Sequence, residues 1–375
     1  MKLTAKVKLQ PTPEQHQALL ETMEKANAAC NWASAIAWEK RTFNKFGLQK
    51  ITYHEIKQQF GLTAQVVVRV ISKVADAYKL DKETKREFKP LGAIAYDDRI
   101  LRWYVPKQEV SIWTVAGRKR VPFLAGERQL ELLKYQRGES DLALIDGQWF
   151  LFATCEVETA EPVDVEDVLG VDLGIVNIAV DSDGQRYSGA HLNNLRRRRR
   201  KQRKTLQKVG TKSAKRRLKK LSGKERRFAT HLNHVISKRI VEKAKRTNRA
   251  IAMEELSGIR QRVRARRSQR DNLHSWAFAQ LGQFTEYKAQ LEGVPKLPID
   301  PRNSSRECAI CGYIDKANRK SQSSFLCLAC LNADHADDNA SKVLRNRGRA
   351  ALVNRPIISI ASAIVSPKMG MAAVN

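Results

Sequence analysis

The chain has 375 residues, 69 of them Lys or Arg against 39 Asp or Glu, a net charge of +30. That length admits two or three domains with a sizeable core, and so large a cationic excess must meet a polyanion or be spread over solvated faces. The best apolar run, residues 357–365, is far shorter than the roughly 20 residues a bilayer span needs, so no membrane partner is expected.

In chain order, residues 2–9 alternate as a strand, and the opening MKLTAKVKLQPTPEQ has no apolar signal-peptide core. A cytoplasmic protein is the expectation. Thr12 is placed to cap a helix with Pro13 at its first position, and helix is predicted on through about residue 85. From about 92 to 160 the texture becomes β-rich and broken by turns. The first strand could join these later ones in one barrel, with the helices as an insertion. A short acidic linker starts at Glu161-Pro162. Then GVDLGIVNIAV, residues 170–180, reads as an interior strand, followed across an Asp-Ser-Asp-Gly turn by GQRYSGA. A basic segment reads as helix interrupted at Gly210 and at Ser222-Gly223. Helix 231–248, strand RAIAMEEL, an Arg-rich loop, helix 275–293, a short strand, a cysteine cluster and the helix ADDNASKVLRNRG complete an α/β layout. The last 25 residues carry little pattern and are expected to be loosely ordered.

The charge is concentrated. Residues 196–227 hold 18 Lys or Arg and one Glu, and a second cluster comprises Arg260, Arg262, Arg264, Arg266, Arg267 and Arg270. Such density on foldable sequence is the footprint of a nucleic-acid binder whose affinity falls steeply with salt. The candidate phosphate contacts are Arg196, Arg197, Arg198, Arg199 and Arg200, with Arg262, Arg264, Arg266 and Arg267; the alternative is a solvated helix face. Trp276 and Phe278 offer rings for base stacking, but their helical spacing with Leu281 and Phe284 favours core packing, and the same holds for Trp103 and Tyr104 in the barrel.

Four of the six cysteines stand as two C-x2-C pairs, Cys308, Cys311, Cys327 and Cys330. This is the spacing of a four-thiolate Zn²⁺ site, closed and therefore structural. Gly312 relaxes the first knuckle; Leu331 sits where a glycine is common in the second. Cys30 and Cys155 are isolated and read as ordinary buried thiols.

Three acids stand out. Asp172 has glycines two residues to either side, which we read as clearing space around its carboxylate. Glu254 ends an apolar strand, and Asp337 opens a helix. Singly, they also fit a turn acceptor, a strand-end charge and an N-cap. Together, on two strands and a helix end, they could meet at one point. Two unit charges about 4 Å apart repel by roughly 4 kcal/mol at an effective dielectric near 20, and Mg²⁺ or Mn²⁺ reverses the sign. Oxygen ligands suit such a hard cation, and a pair of ions can serve phosphodiester hydrolysis.

The segments VDLGIVNIAV, IAMEELSGIR, LHSWAFAQLGQFTEYKA, IDPRNSSRECAICG and DHADDNASKVL, in that order, resemble the TnpB (OrfB) proteins of bacterial insertion sequences. These are similar to the RuvC nuclease half of type V CRISPR effectors. The resemblance implies an RNase H-like RuvC nuclease over 163–300 and 334–350, with a zinc ribbon at 301–333. It also implies a wedge-type β-barrel over 1–10 and 92–162 carrying a helical recognition insertion at 11–91, and a tail at 351–375. The implied activity is RNA-guided cleavage of double-stranded DNA beside a short flanking motif, with guide RNA and target DNA as partners; the sequence does not fix the oligomeric state, and a monomer with its RNA is the favoured expectation. Asp172, Glu254 and Asp337 fall on the family's three acids, which argues against its inactivated repressors. The other readings are a catalytically silent nucleic-acid binder and a strand-transferring transposase.

Overall fold

The computed structural model of the protein describes residues 1–255, 278–321 and 323–353. The chain divides into two units that meet in sequence at Glu158 and Thr159.

The first unit strings together β1 (Lys2–Leu9), α1 (Pro13–Glu39), α2 (Lys45–Phe60), α3 (Ala64–Leu80), β2 (Ile94–Tyr96), β3 (Leu101–Tyr104), β4 (Glu109–Thr114), β5 (Gly117–Leu124), α4 (Glu127–Leu133), β6 (Gln136–Ile145) and β7 (Gln148–Glu156). Alternation in β1 buries Ala5, Val7 and Leu9, so one face of the strand needs a sheet around it. It finds one by pairing antiparallel with β7 on one side and β5 on the other. The full order is β2-β6-β7-β1-β5-β4-β3. The sheet curls until its ends meet: the Trp103 indole donates to Ser140 Oγ at 3.4 Å, and the Tyr96 hydroxyl donates to the Trp113 carbonyl at 3.2 Å. It is a nearly closed barrel. Trp103 packs edge-on against Phe123, as core rather than as a stacking platform.

Thr12 and Gln15 close a capping box at the start of α1, which satisfies two orphan N–H groups. The Val-rich face of α3, from Val66 to Tyr78, is buried, and one apolar cluster joins helices and strands. Two expectations are corrected. Helix ends at Leu80, not near 85, and the β-rich stretch contains the short helix α4, whose Leu133 is buried. Cys30 and Cys155 are buried, and burial pushes the Cys30 thiol up to about 11.

The second unit contains β8 (Asp167–Asp172), β9 (Asn177–Asp181), β10 (Arg186–Ser188), α5 (Ala190–Val209), α6 (Lys212–Arg246), β11 (Arg249–Glu254), α7 (Phe278–Leu291), β12 (Lys296–Ile299), β13 (Ser324–Leu326), β14 (Ala333–His335) and α8 (Ala336–Val353). The main sheet runs β10-β9-β8-β11-β12. Its first three strands in sequence are antiparallel neighbours, and β8, β11 and β12 are parallel. Parallel neighbours need long crossovers, which here pass through helices. The stretch 170–180 is two strands, not one, because the chain turns between Asp172 and Asn177. Helix α6 runs unbroken through Ser222-Gly223. Leu221, Glu225 and Ala229, one turn apart on a buried face, outweigh the roughly 1 kcal/mol a mid-helix glycine costs. The break at Gly210 stands, with that residue left-handed at the α5 C-cap and Thr211 capping α6. The tail begins later than 351, since α8 continues to Val353; residues 354–375 lie outside the described residues.

Pleat parity divides the sheet. Leu169, Val171, Ile251 and Met253 share an apolar cluster with Ile236, Ile240 and Leu281 of α6 and α7. Val168, Ala250 and Ala252 cluster with Leu344 of α8. Even-numbered positions of β8 and β11 therefore face α8.

Candidate active site

That parity aims two of the three acids. Asp172 follows Val168 and Gly170 on β8, and Glu254 follows Ala250 and Ala252 on β11, so both continue the face that α8 covers. The register runs to Met253↔Val171, which leaves Glu254 and Asp172 on adjacent strand ends. Asp337 lies in the first turn of α8, where the helix dipole favours an anion. Its Oδ2 accepts from Asn177 Nδ2 at 3.2 Å, and its Oδ1 lies 3.6 Å from the Arg319 guanidinium. The neighbouring Asp338 is turned elsewhere and pairs with Arg186.

Gly170 explains how close the helix comes, and corrects the reading that the flanking glycines clear room for a ligand. A Cβ there would lie 2.1 Å from the Ser341 carbonyl oxygen and 2.5 Å from the Arg345 nitrogen. The missing side chain is filled by the backbone of α8. Gly348 does the same from the helix side, against Val168 and Ala252. Asp167, at the start of β8, accepts from Arg345 and Arg349 at 2.6 and 2.7 Å. Partial desolvation raises its carboxyl, but these two guanidiniums hold it well below the usual carboxylate range. Gly174 lies in the turn after Asp172, tight against the Asn177 carbonyl.

Asp172 feels the other two acids. Desolvation pushes the Asp172 carboxyl well above its ordinary value, and the charges of Glu254 and Asp337 push it further; Arg319 and the Leu173 N–H act the other way. Burial likewise raises Glu254, offset by the Ser304 hydroxyl and the field of Arg347. The oxygens of the three acids do not all lie within 4.8 Å of one another, a criterion that among the described residues only the four cysteine sulfurs satisfy. Hard oxygen donors, partly buried and repelling one another, suit a divalent cation.

Four residues that sequence reasoning missed complete the surroundings: Asn177, Ser304, Arg319 and Arg347. The first two lie inside the motifs VDLGIVN and PRNSS, so motif membership is the signal that could have found them.

The cysteine site is of another kind. Cys308 and Cys330 sulfurs are 3.6 Å apart, and those of Cys311 and Cys327 3.5 Å. In each knuckle a backbone N–H points at the leading sulfur, Ile310 to Cys308 and Cys330 to Cys327. The donation from Cys330, with that from Ala329, brings the Cys327 thiol down to about 7. Gly312 and Leu331 both take positive φ, +74° and +57°, so both knuckles use the same turn. Four convergent sulfurs suit a closed Zn²⁺ site.

The five-arginine run is corrected in part. With 100° between residues, five consecutive side chains point all round a helix, so one that packs against α6 turns some of them inward. Arg196 is buried, its Nε 3.7 Å from Glu225 on α6, and Arg203 binds the same carboxylate at 2.9 Å. Arg197, Arg198 and Arg200 are exposed, and Arg199 is half-buried beside Gln202. Arg262, Arg264, Arg266 and Arg267, like Trp276, lie outside the described residues. No helix among the described residues is long and apolar enough to cross a membrane.

Two family models match the chain. One described as a probable transposase (OrfB_IS605) covers residues 152–257, and a Cas12f1-like TNB domain covers 278–344. Among curated proteins, a CRISPR-associated endodeoxyribonuclease Cas12f1 of Syntrophomonas palmitatica is 30% identical over 49% of this chain and 40% of its own length. A TnpB-like protein of Methanocaldococcus jannaschii is 30% identical over 41% of this chain and 60% of its own. The chain thus spans less than two thirds of the length of either relative. Among solved structures, a Cas12f1–sgRNA–target DNA complex superposes with a TM-score of 0.63 at 16% identity, covering 90% of this chain and 84% of that one. The resemblance drawn from the motifs is borne out, and so is the fold: a wedge-type barrel, an RNase H-like sheet and a zinc-ribbon module.

Proposed function

We propose that this relative of the TnpB-like and Cas12f proteins is an RNA-guided endonuclease that cuts double-stranded DNA beside a short flanking motif. The observation that carries the reading is the placement of Asp172 and Glu254 on adjacent parallel strand ends, with Asp337 in the first turn of the helix that covers the same sheet face. These three carboxylates would hold Mg²⁺ or Mn²⁺. Bound there, the metal supplies Lewis-acid activation of water and stabilisation of the leaving oxygen in phosphodiester hydrolysis. The protein's own part is to fix the acids: β8 and β11 set the Asp172–Glu254 register, Gly170 admits α8, and Asn177 and Arg319 hold Asp337.

Zn²⁺ on Cys308, Cys311, Cys327 and Cys330 is structural in this reading. Arg197, Arg198, Arg199 and Arg200, with Arg262, Arg264, Arg266 and Arg267, contact the phosphates of guide RNA and target DNA. The barrel with its helical insertion and the RuvC-like unit act as one monomer on the guide, in the cytoplasm.

The test is purification from the native locus followed by sequencing of the RNA that accompanies the protein. DNA matching that RNA is then offered with Mg²⁺. Cleavage abolished by Asp172→Ala supports the reading. RNA and DNA binding with the DNA left intact makes the protein a silent binder, and strand-joined products make it a transposase.

A further inference from the structure

The three acids are not held alike. Asp337 sits on a helix, with Asn177 and Arg319 on its two oxygens. Glu254 stands at the end of β11, and one hydroxyl reaches its carboxylate: Ser304 Oγ donates to Oε1 at 2.5 Å. Ser304 is only 4% exposed and lies in the PRNSS segment between β12 and the first cysteine knuckle. That segment is itself tied to α8. Arg347 donates to the Asp300 carbonyl at 2.7 Å and the Arg302 carbonyl at 2.8 Å, and pairs with Glu307.

A serine hydroxyl has a single proton. Ser304 has two acceptors in range, Glu254 Oε1 and, at 3.1 Å, the Pro301 carbonyl. The carboxylate is nearer and charged, which makes the stronger bond. A carboxylate with one oxygen fixed has lost its freedom to rotate and offers the other as a ligand in a set direction.

We infer that Ser304 is a positioning residue of the nuclease site: it fixes one oxygen of Glu254 so that the other serves the cation shared with Asp172 and Asp337. The inference rests on the proposed nuclease reading. It assigns the segment leading into the ribbon a second task, since the backbone that enters the cysteine knuckles also aims a carboxylate. Partners that orient metal ligands in this way typically contribute 10–100-fold to metal affinity.

The test is calorimetric titration of Mn²⁺ into the zinc-loaded full-length protein and into its Asp172→Ala, Ser304→Thr and Ser304→Val variants. The last two differ in shape only by hydroxyl against methyl. We expect Asp172→Ala to remove the site, Ser304→Thr to bind within a few-fold of the parent, and Ser304→Val to bind about 10–100-fold more weakly. Cleavage by Ser304→Val should recover at raised Mn²⁺. If the parent shows no Mn²⁺ site lost on Asp172→Ala, the nuclease reading itself fails. If that site exists and the Thr and Val variants bind Mn²⁺ equally, the positioning role is overturned, whether or not both are weakened.

Discussion

Two places in the second unit gather side chains from separate stretches of chain, and they gather them differently. The cysteines come from two knuckles close in sequence, and all four sulfurs fall within 4.8 Å of one another. Each knuckle carries its own backbone N–H donors, so much of the geometry is local. The acids arrive on three elements far apart in the chain and stay more widely spaced, and the charges of Glu254 and Asp337 add to the desolvation that raises the proton affinity of Asp172. The first site is built to be stable when filled and closed. The second is held under repulsion by the packing around it, as expected of a site whose ligands must also meet a substrate.

The contrast can be broken at its strongest point first. Replacing Cys308 with Ala should remove the metal and unfold the ribbon, since structural zinc supplies about 10–16 kcal/mol of apparent binding free energy to such small modules. Metal analysis should fall from one zinc per chain to none. Retention of zinc would place the cysteines outside any metal site.

Next in size is Gly170→Ala. The added methyl meets backbone of α8, which cannot rotate away, so a cost of about 3 kcal/mol is expected from overpacking. Chemical denaturation measures it. A near-neutral result would mean that α8 does not set the spacing between Asp172 and Asp337.

The acid site should respond in the opposite sense from the cysteines. Asp172→Asn is expected to stabilise the protein in Mg²⁺-free, zinc-replete buffer by about 1 kcal/mol, while abolishing cleavage, because functional sites hold strain that neutral substitutions release. The pH dependence has a definite sign. Asp172 folded takes up its proton well above the value near 3.9 of an unfolded chain, so its ionisation opposes folding. That opposition is absent below about pH 4 and grows as pH rises through the folded value. The stability gap between Asp172→Asn and wild type should therefore be widest at neutral pH and close on acidification. A gap that is constant with pH would remove the repulsion argument.

The smallest effect separates the two knuckles. Leu331 is 73% exposed and left-handed, so Leu331→Gly loses little burial and relieves about 0.5–1 kcal/mol of backbone strain. A higher melting temperature with zinc bound checks it.

What could be read without coordinates follows the same division. The cysteine spacing is a local pattern, and it placed the ligands and even the strained position at Leu331. The strand β1 and the α1 cap at Thr12 were legible for the same reason. The acids were legible as residues but not as a geometry, because the register of β8 against β11 is a long-range fact. Gly170 was misread because a glycine that makes room for a helix looks the same as one that makes room for a ligand. Arg196 was misread because charge density says nothing about which face of a helix a given cation occupies, and its partner Glu225 is the sole acid in that stretch. Ser222-Gly223 looked like a break because propensity was weighed without the buried face that overrides it.

The parallel pairing of β8 with β11 has a further bearing on engineering. Two residues that must stay neighbours are anchored at strand ends, while everything from β9 to the end of α6 leaves and returns between those fixed posts. The α5–α6 turn at Gly210 is thus a natural port. A cargo protein grafted there, or a shortened hairpin, would alter the basic helices without moving Asp172 or Glu254.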